Sequence, residues 1–132
     1  MVAFQVPPSC DLTLGLSCTD KSVPGRTEWA VTPDERFANP AGLVQGGFLA
    51  AIMDSAMGAS AVTAQGERRV AVSNTGMKVS FVRAVRPGDA LRCVATVLKS
   101  GRSVAFVEAR LRNGSDQLVA TASSTYVIRA RE

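Results

Sequence analysis

Asp54 is the residue of this sequence best placed to do chemistry. It is the only formally charged side chain between Phe37 and Gly66, in a stretch made otherwise of small and apolar residues. An ionised carboxylate in apolar surroundings is costly unless it is paired, and one retained there can act as a nucleophile or as a general base on water. The alternative is a structural aspartate bonded to nearby hydroxyls such as Ser55 or Ser60.

The residues before this carboxylate supply hydrogen-bond donors. Gly46 and Gly47 let the backbone turn into a helix. Free N–H groups at a helix start stabilise developing negative charge, so the Gly46 N–H is a candidate oxyanion donor for acyl transfer. The side-chain amides of Asn39, Gln45 and Asn74 are further polar groups available to such a site. A plain tight turn is the alternative interpretation of the two glycines.

The chain contains no histidine. This excludes Ser/His/Asp and Cys/His nucleophilic systems, as well as dehydratases that depend on an imidazole. Gly42, Gly46 and Gly47 match neither a dinucleotide-binding nor a P-loop pattern, so nucleotide hydrolysis is not indicated. Carboxylate chemistry is what remains.

The carboxylate must be carried by a long helix. Residues 48–64 are rich in Ala, Leu and Met, and we expect the helix to begin near Gly46 and to end near Gln65 and Gly66. Its apolar residues spread around the helical wheel, which predicts a central helix buried on all sides. Gly46 and Asp54 are eight residues apart, about 12 Å along one helix. If both act on one thioester, they must come from two subunits whose helices pack antiparallel in a dimer.

The rest of the chain has strand character. We expect strands at residues 12–18, 27–31, 74–85, 90–98, 103–112 and 117–128, with a polar loop at 32–38. Turns are expected at 21–25, 86–89, 99–102 and Asn113-Gly114. Four long strands with short turns indicate an antiparallel meander, and the architecture that buries the helix is an α+β fold with a curved sheet wrapped around it.

The bulk composition indicates one ordinary globular domain spanning 1–132, with a loosely held segment at 1–10. Cys10, Cys18 and Cys93 share no metal-binding spacing, so we expect reduced thiols and no metal site. The net charge of +4 is scattered, which argues against nucleic acid but suits a small polyanionic ligand. No signal peptide or membrane span is evident, which predicts a cytoplasmic protein.

Several of these residues form a recognisable pattern. Asn39, the run Gly42-Leu-Val-Gln-Gly-Gly47 and Asp54, followed by Met77 to Asp89 and by Lys99-Ser-Gly-Arg102, resemble the hotdog-fold acyl-CoA thioesterases of the PaaI-like (phenylacetic acid degradation) branch. The likeness covers roughly residues 29–128 and keeps the family spacing N-x(5)-H-G-G-x(6)-D, with Gln45 in the histidine position. It implies a homodimer that often pairs into tetramers, a site between subunits, and coenzyme A as part of the substrate, with no bound cofactor.

By this resemblance Asp54 is the catalytic carboxylate, the Gly46 N–H polarises the thioester carbonyl, and Asn39 helps to bind or orient the substrate or water. Two positions depart from the family. Gln45 stands where a histidine is usual, and Gln can hydrogen bond but cannot titrate. Asn74 stands where Ser or Thr is common near the carboxylate; it can orient that group or simply begin a strand.

The remaining candidates concern substrate binding. The acyl pocket is expected to draw on Phe48, Met53 and Met57, although methionines on such a helix are more often core residues. Cations in two turns are candidates for the phosphates of coenzyme A, or are solvated surface charges: Arg83, Arg86, Lys99 and Arg102. We expect an aryl- or medium-chain acyl-CoA thioesterase. The alternative is a non-catalytic acyl-CoA or acyl-ligand binding protein on the same scaffold.

Overall fold

The computed structural model describes residues 5–131. Its elements in chain order are α1 (Ser9–Leu14), β1 (Ser17–Val23), β2 (Arg26–Val31), a short 3-10 helix (Glu35–Phe37), α2 (Gly46–Thr63), β3 (Val70–Phe81), β4 (Leu91–Ser100), β5 (Val104–Arg112) and β6 (Leu118–Ala130). The strands form one antiparallel sheet in the order β1-β2-β4-β5-β6-β3. One face of this sheet packs on α2, from β2 across to β3. The α+β arrangement expected from the sequence is confirmed.

The predicted helix bounds are confirmed, since α2 begins at Gly46 and Gly66 follows its end with a φ of +64°. One face of α2 is buried against the sheet: Leu49, Ile52, Met53, Ala56, Met57, Ser60 and Ala61. These positions follow the i, i+3, i+4 spacing of a single apolar stripe. The opposite face remains half-buried and carries small residues such as Ala51, Ser55, Gly58 and Ala59. The expectation of burial on all sides is therefore wrong for the single chain, because the sheet covers only one side.

The strand predicted at residues 12–18 is wrong in its first half, which belongs to α1. Asp11 and Leu14 are buried at helical spacing, and α1 ends where Gly15 takes a φ of +71°. The alternation of Leu12, Leu14 and Leu16 imitates a strand. Ser9 begins α1, so the last two residues of the segment predicted to be loosely held, 9 and 10, are helical. Residues 1–4 of that segment lie outside the described part.

The meander prediction holds for β4, β5 and β6 but not for β3. β3 pairs with β6 and forms an edge of the sheet, so residues 82–90 cross from that edge to β4 in the interior. The turn predicted within this crossing is present: the Asp89 N–H donates to the Arg86 carbonyl at 3.0 Å, and Gly88 has a φ of +95°. Local turn chemistry gives no information on which strand becomes the neighbour. Within residues 5–131 no helix has the length and apolar character needed to cross a membrane.

Candidate active site on the central helix

The Asp54 carboxylate lies partly buried where α2 faces β3 and β6. Its Oδ1 accepts hydrogen bonds from Asn74 Nδ2 at 3.0 Å and from Tyr126 Oη at 2.6 Å. Its Oδ2 accepts none from the residues that the structure describes. Neither serine considered as a structural partner bonds the Asp54 carboxylate. The Ser60 hydroxyl bonds residues of β2 and β4, and Ser55 makes no side-chain hydrogen bond within residues 5–131. Asp54 is thus fixed through one oxygen and free at the other.

Tyr126 is the residue of this cluster that the sequence analysis missed. It stands opposite Asn74 in the β3–β6 register and is only 2% exposed. Burial raises the pKa of the Tyr126 phenol, and its hydrogen bond to the Asp54 carboxylate raises that pKa further. The phenol therefore stays protonated and donates its proton throughout the neutral range. Strand alternation places Tyr126 on the inner face of β6, but its helical partner depends on the β3–β6 register, which the sequence does not specify.

Asn74 is oriented by a bulge in β3. The pairing of β3 with β6 slips between Asn74 and Gly76, and the Gly76 N–H donates to Asn74 Oδ1 at 3.2 Å. This contact directs the amide nitrogen toward Asp54 and toward Ser124 Oγ, which it reaches at 3.2 Å. The bulge accordingly aims a donor at the carboxylate.

The start of α2 is the second half of the candidate site. Gln45 is the N-cap with extended backbone angles, and its side chain makes no capping hydrogen bond. The Gly46 and Gly47 N–H groups are among the first amides of the helix, which lack intrahelical acceptors. They have no hydrogen-bond acceptor elsewhere in residues 5–131 either. The helix start can therefore offer two N–H groups and one amide side chain to a ligand.

The loop before α2 is built around Asn39. Its side-chain Oδ1 accepts from the Ala41 and Leu43 N–H groups at 2.9 and 3.1 Å, while Gly42 takes a φ of +79°. The Val44 N–H donates to the backbone carbonyl of the β3–β4 crossing at 2.8 Å. Asn39 thus shapes the loop with its oxygen, and its Nδ2 has no partner among the described residues.

A close contact, and not a positive φ angle, sets Gly46 apart, because an added Cβ would displace the exposed Phe81 ring. A Cβ built on Gly46 would lie 2.8 Å from Cζ of Phe81, at the end of β3. A Cβ built on Gly47 would meet nothing within 4 Å. A tight turn alone therefore does not explain the two glycines. Gly46 leaves room for the Phe81 ring, and Gly47 faces open space.

An open groove of about 540 Å³ adjoins this helix start. It lies between α1 and α2 and is lined by Cys10, Thr13, Leu14, Gln45, Gly47, Phe48 and Ala51. Of the three expected acyl-pocket residues, only Phe48 lines this groove. Met53 and Met57 are both 0% exposed and belong to the core. A second depression of about 250 Å³ lies on the outer face of the sheet, between Lys78, Glu108 and Arg110, away from Asp54.

The four candidate phosphate ligands fall into two groups at opposite ends of α2. Arg83 and Arg86 are exposed on the crossing that holds the loop before the helix. Lys99 and Arg102 are exposed at the β4–β5 hairpin, whose Ser100 and Gly101 accept hydrogen bonds from a residue just after the helix. Lys99 is still within β4 and not in the turn. An 18-residue helix is about 27 Å long, so one chain does not bring the two groups together.

Comparison with known proteins agrees with this architecture. Residues 41–120 match the thioesterase superfamily. A Pseudomonas aeruginosa protein named provisionally as an esterase is 33% identical over 97 residues, which cover 74% of this chain and 71% of that protein. A crystal structure of a phenylacetic acid degradation-related protein of the thioesterase type from Ralstonia eutropha is 33% identical, with a TM-score of 0.83 over 91% of this chain and 89% of the other.

The PaaI protein of the Escherichia coli phenylacetic acid degradation operon shares the fold, with a TM-score of 0.85, 19% identity and coverage of 93% of this chain and 86% of that one. These matches agree with the resemblance to the PaaI-like branch that the sequence carries. The family match spans more than half of the chain and includes α2 with Asp54 and β3 with Asn74, whereas Asn39 and Tyr126 lie outside it. This chain belongs to the thioesterase superfamily, has the hotdog fold, and is a thioester hydrolase.

Proposed function

We propose that this protein hydrolyses the thioester of an aryl- or medium-chain acyl-coenzyme A to the free acid and coenzyme A. The observation that carries the proposal is the Asp54 carboxylate, held through Oδ1 by two donors and open at Oδ2. Oδ2 takes a proton from a water that attacks the carbonyl carbon, and the thiolate of coenzyme A leaves with that proton returned to it; alternatively Oδ2 attacks the carbon itself, the thiolate leaves, and water hydrolyses the resulting anhydride to the free acid and Asp54. Coenzyme A is part of the substrate in this scheme, and no resident cofactor or metal is involved.

The complementary charge stabilisation comes from the start of α2. Negative charge develops on the thioester oxygen as the carbonyl carbon becomes tetrahedral, and the Gly46 N–H is proposed to donate to that oxygen. Asn39 holds the loop that presents this N–H, and Gln45 and Gly47 border the same space. Gln45 binds substrate in this scheme by hydrogen bonds and does not exchange protons.

The site is proposed to form between two subunits. Gly46 and Asp54 are eight residues apart in one helix, about 12 Å, so a single thioester cannot contact both in one chain. An antiparallel pairing of two α2 helices brings Gly46 close to the partner subunit's Asp54. The half-buried face of small residues on α2 permits such an approach, and β3 offers a 12-residue edge strand for pairing between copies. Pairing of two such dimers into a tetramer is a further expectation.

The proposed antiparallel pairing of two α2 helices also accounts for the placement of the candidate phosphate ligands in two groups at opposite ends of α2. Antiparallel helices place the start of one α2 beside the end of its partner. Arg83 and Arg86 of one chain then lie at the same end of the dimer as the partner subunit's Lys99 and Arg102. Four cations in that arrangement can bind the phosphates of coenzyme A. A cytoplasmic location and the absence of nucleic-acid and membrane partners stay predictions.

The direct test is release of free thiol from a panel of acyl-CoAs of differing chain length, with aryl members included. We expect turnover by the wild type, and a fall in kcat of at least about 10²-fold in Asp54→Asn with ligand binding retained, as for loss of a base or nucleophile. Glu35→Gln, which removes an exposed carboxylate that makes no side-chain hydrogen bond or ion pair with the described residues, is the matched control. Binding without release at every chain length would favour the non-catalytic acyl-CoA binding protein.

Complementation tests the shared site. Asn39→Ala and Asp54→Asn chains, each nearly inactive alone, are unfolded, mixed equally and refolded. Half of the randomly paired dimers are mixed, and each mixed dimer has one site with both lesions and one intact site, so about a quarter of wild-type activity should return. No recovery despite demonstrated subunit exchange would reject the shared site.

A further inference from the structure

We propose that the groove between α1 and α2 is the binding site for the acyl group, and that it selects neutral, apolar acyl groups. The inference rests on the proposed function and adds to it a substrate class and a wall of the pocket, α1, that the sequence did not predict. The groove volume of about 540 Å³ lies within the range of small-molecule sites, roughly 300–1,000 Å³.

The first argument is continuity with the donors at the start of α2. Gln45 and Gly47 line the groove at one end, and the Gly46 N–H lies between them in sequence. A thioester whose oxygen accepts from that N–H has its acyl carbon at the mouth of the groove. The open space over Gly47, where an added Cβ would meet nothing within 4 Å, leaves the entry clear.

The second argument is the chemistry of the walls. Beyond Gln45 and Gly47, the lining consists of Cys10, Thr13, Leu14, Phe48 and Ala51, with no charged side chain. The Phe48 ring is backed by the buried Phe37 ring, with centroids 4.5 Å apart, which gives the groove a fixed aromatic wall. Apolar carbons gain free energy on entering such a site, whereas an acyl group ending in a carboxylate would lose its hydration without a cation to pair with.

Two cysteine thiols of the chain can report whether a ligand occupies the groove. Cys10 lines the groove and carries an exposed free thiol, while Cys18 is equally exposed on β1 outside the groove. Alkylation of the two thiols by N-ethylmaleimide, resolved by mass spectrometry, reports occupancy without any need for turnover. S-octyl-coenzyme A, a thioether that cannot be hydrolysed, is the ligand, and S-methyl-coenzyme A is its short-chain control.

We expect S-octyl-coenzyme A at about ten times its Kd to slow alkylation of Cys10 about tenfold, because roughly a tenth of the protein is then unliganded. Alkylation of Cys18 should not change, and S-methyl-coenzyme A should protect neither thiol. Equal Cys10 rates with the two ligands, or failure of S-octyl-coenzyme A to bind, overturns the proposal.

A variant with a bulky side chain in the groove tests the selectivity for acyl chain length in the thiol-release assay. Thr13→Trp fills the groove from α1, and Leu12→Trp places the same ring on an exposed position of α1 outside it. In the wild type and in Leu12→Trp, kcat/KM should rise from acetyl- to octanoyl-CoA by up to about fourfold for each methylene that the open groove buries, and glutaryl-CoA should be poor. Thr13→Trp should lower the ratio of octanoyl-CoA to acetyl-CoA kcat/KM about tenfold or more.

The two proposals fail separately. The acyl groove would be rejected if thiol is released from acyl-CoA while Cys10 is not protected and Thr13→Trp does not change the selectivity. That outcome would still support the proposed hydrolase. Protection of Cys10 without thiol release from any acyl-CoA would support the groove and reject the proposed catalysis.

Discussion

Tyr126→Phe is the substitution that most directly tests how the carboxylate is held. The phenol hydroxyl lies 2.6 Å from Asp54 Oδ1 and 3.0 Å from the Asp54 carbonyl oxygen, and its single proton goes to the nearer, charged acceptor. Phenylalanine keeps the ring and its packing in the core. The substitution therefore removes the hydrogen bond to the carboxylate, together with a long contact of 3.4 Å in which the phenol oxygen accepts from Asn74 Nδ2.

The expected magnitude follows from that geometry. A hydrogen bond to a charged group contributes about 1.5–3 kcal/mol, and the partly exposed carboxylate allows water to replace some of it, so we take the lower end, about 1.5 kcal/mol. Asn74 Nδ2 still donates to the same oxygen. Since about 1.4 kcal/mol corresponds to a factor of ten in rate, kcat/KM should fall by up to about tenfold. The melting temperature should fall by several degrees.

The assay is kcat/KM for one acyl-CoA, followed by thiol release, with thermal unfolding measured on the same preparations. Thr27→Val is the matched control, because it also removes a buried hydroxyl, one that bonds Ser60 and the Ala56 carbonyl and not the carboxylate; it should lower the melting temperature and leave kcat/KM in place. A Tyr126→Phe enzyme that loses stability but keeps the wild-type kcat/KM would show that Tyr126 only packs the core, and would refute its role in positioning Asp54.

Three further predictions concern neighbouring groups. Gln45→His should give equal or higher activity, measured by thiol release, and a folded but inactive variant would show that Gln45 has a role of its own. Gly46→Ala should lower kcat because its Cβ displaces the Phe81 ring, and the double variant with Phe81→Ala should recover activity; loss that persists in the double variant would place the effect in the N–H geometry instead. Tyr126 is the only tyrosine, and its pKa is raised above that of the unfolded phenol, about 10. Above about pH 10 the unfolded chain loses this proton first, so the stabilisation present below that pH should decrease as pH rises, and phenolate absorbance should appear only with unfolding.

The sequence predicted those parts of the fold that depend on local chemistry. The bounds of α2 follow from its helix-forming composition and from the glycines beside both ends, and the turn at Gly88 follows from its Pro-Gly pair. What the sequence did not predict depends on pairing at a distance. The placement of β3 beside β6 is decided by packing around α2, and the same strand composition is compatible with a simple meander.

The same division applies to the site. Asp54 could be singled out as an isolated charge in an apolar stretch, and Asn74 was considered beside it. Tyr126 could not be assigned to that carboxylate, because the contact requires the register that sets Tyr126 opposite Asn74 across two strands. The α1 wall of the groove was missed for a local reason, since leucines at every second position imitate a strand.

Because the chain has no histidine, few groups of the described site can gain or lose a proton. The donors at the start of α2 are backbone N–H groups and carboxamides, none of which titrates. On the other half of the site, Tyr126 keeps its proton because burial and the neighbouring carboxylate both raise its pKa. In the proposed reaction, the two hydrogen bonds that hold Asp54 Oδ1 leave one carboxylate atom, Oδ2, to face the substrate or water that we propose to bind at the partner's helix start.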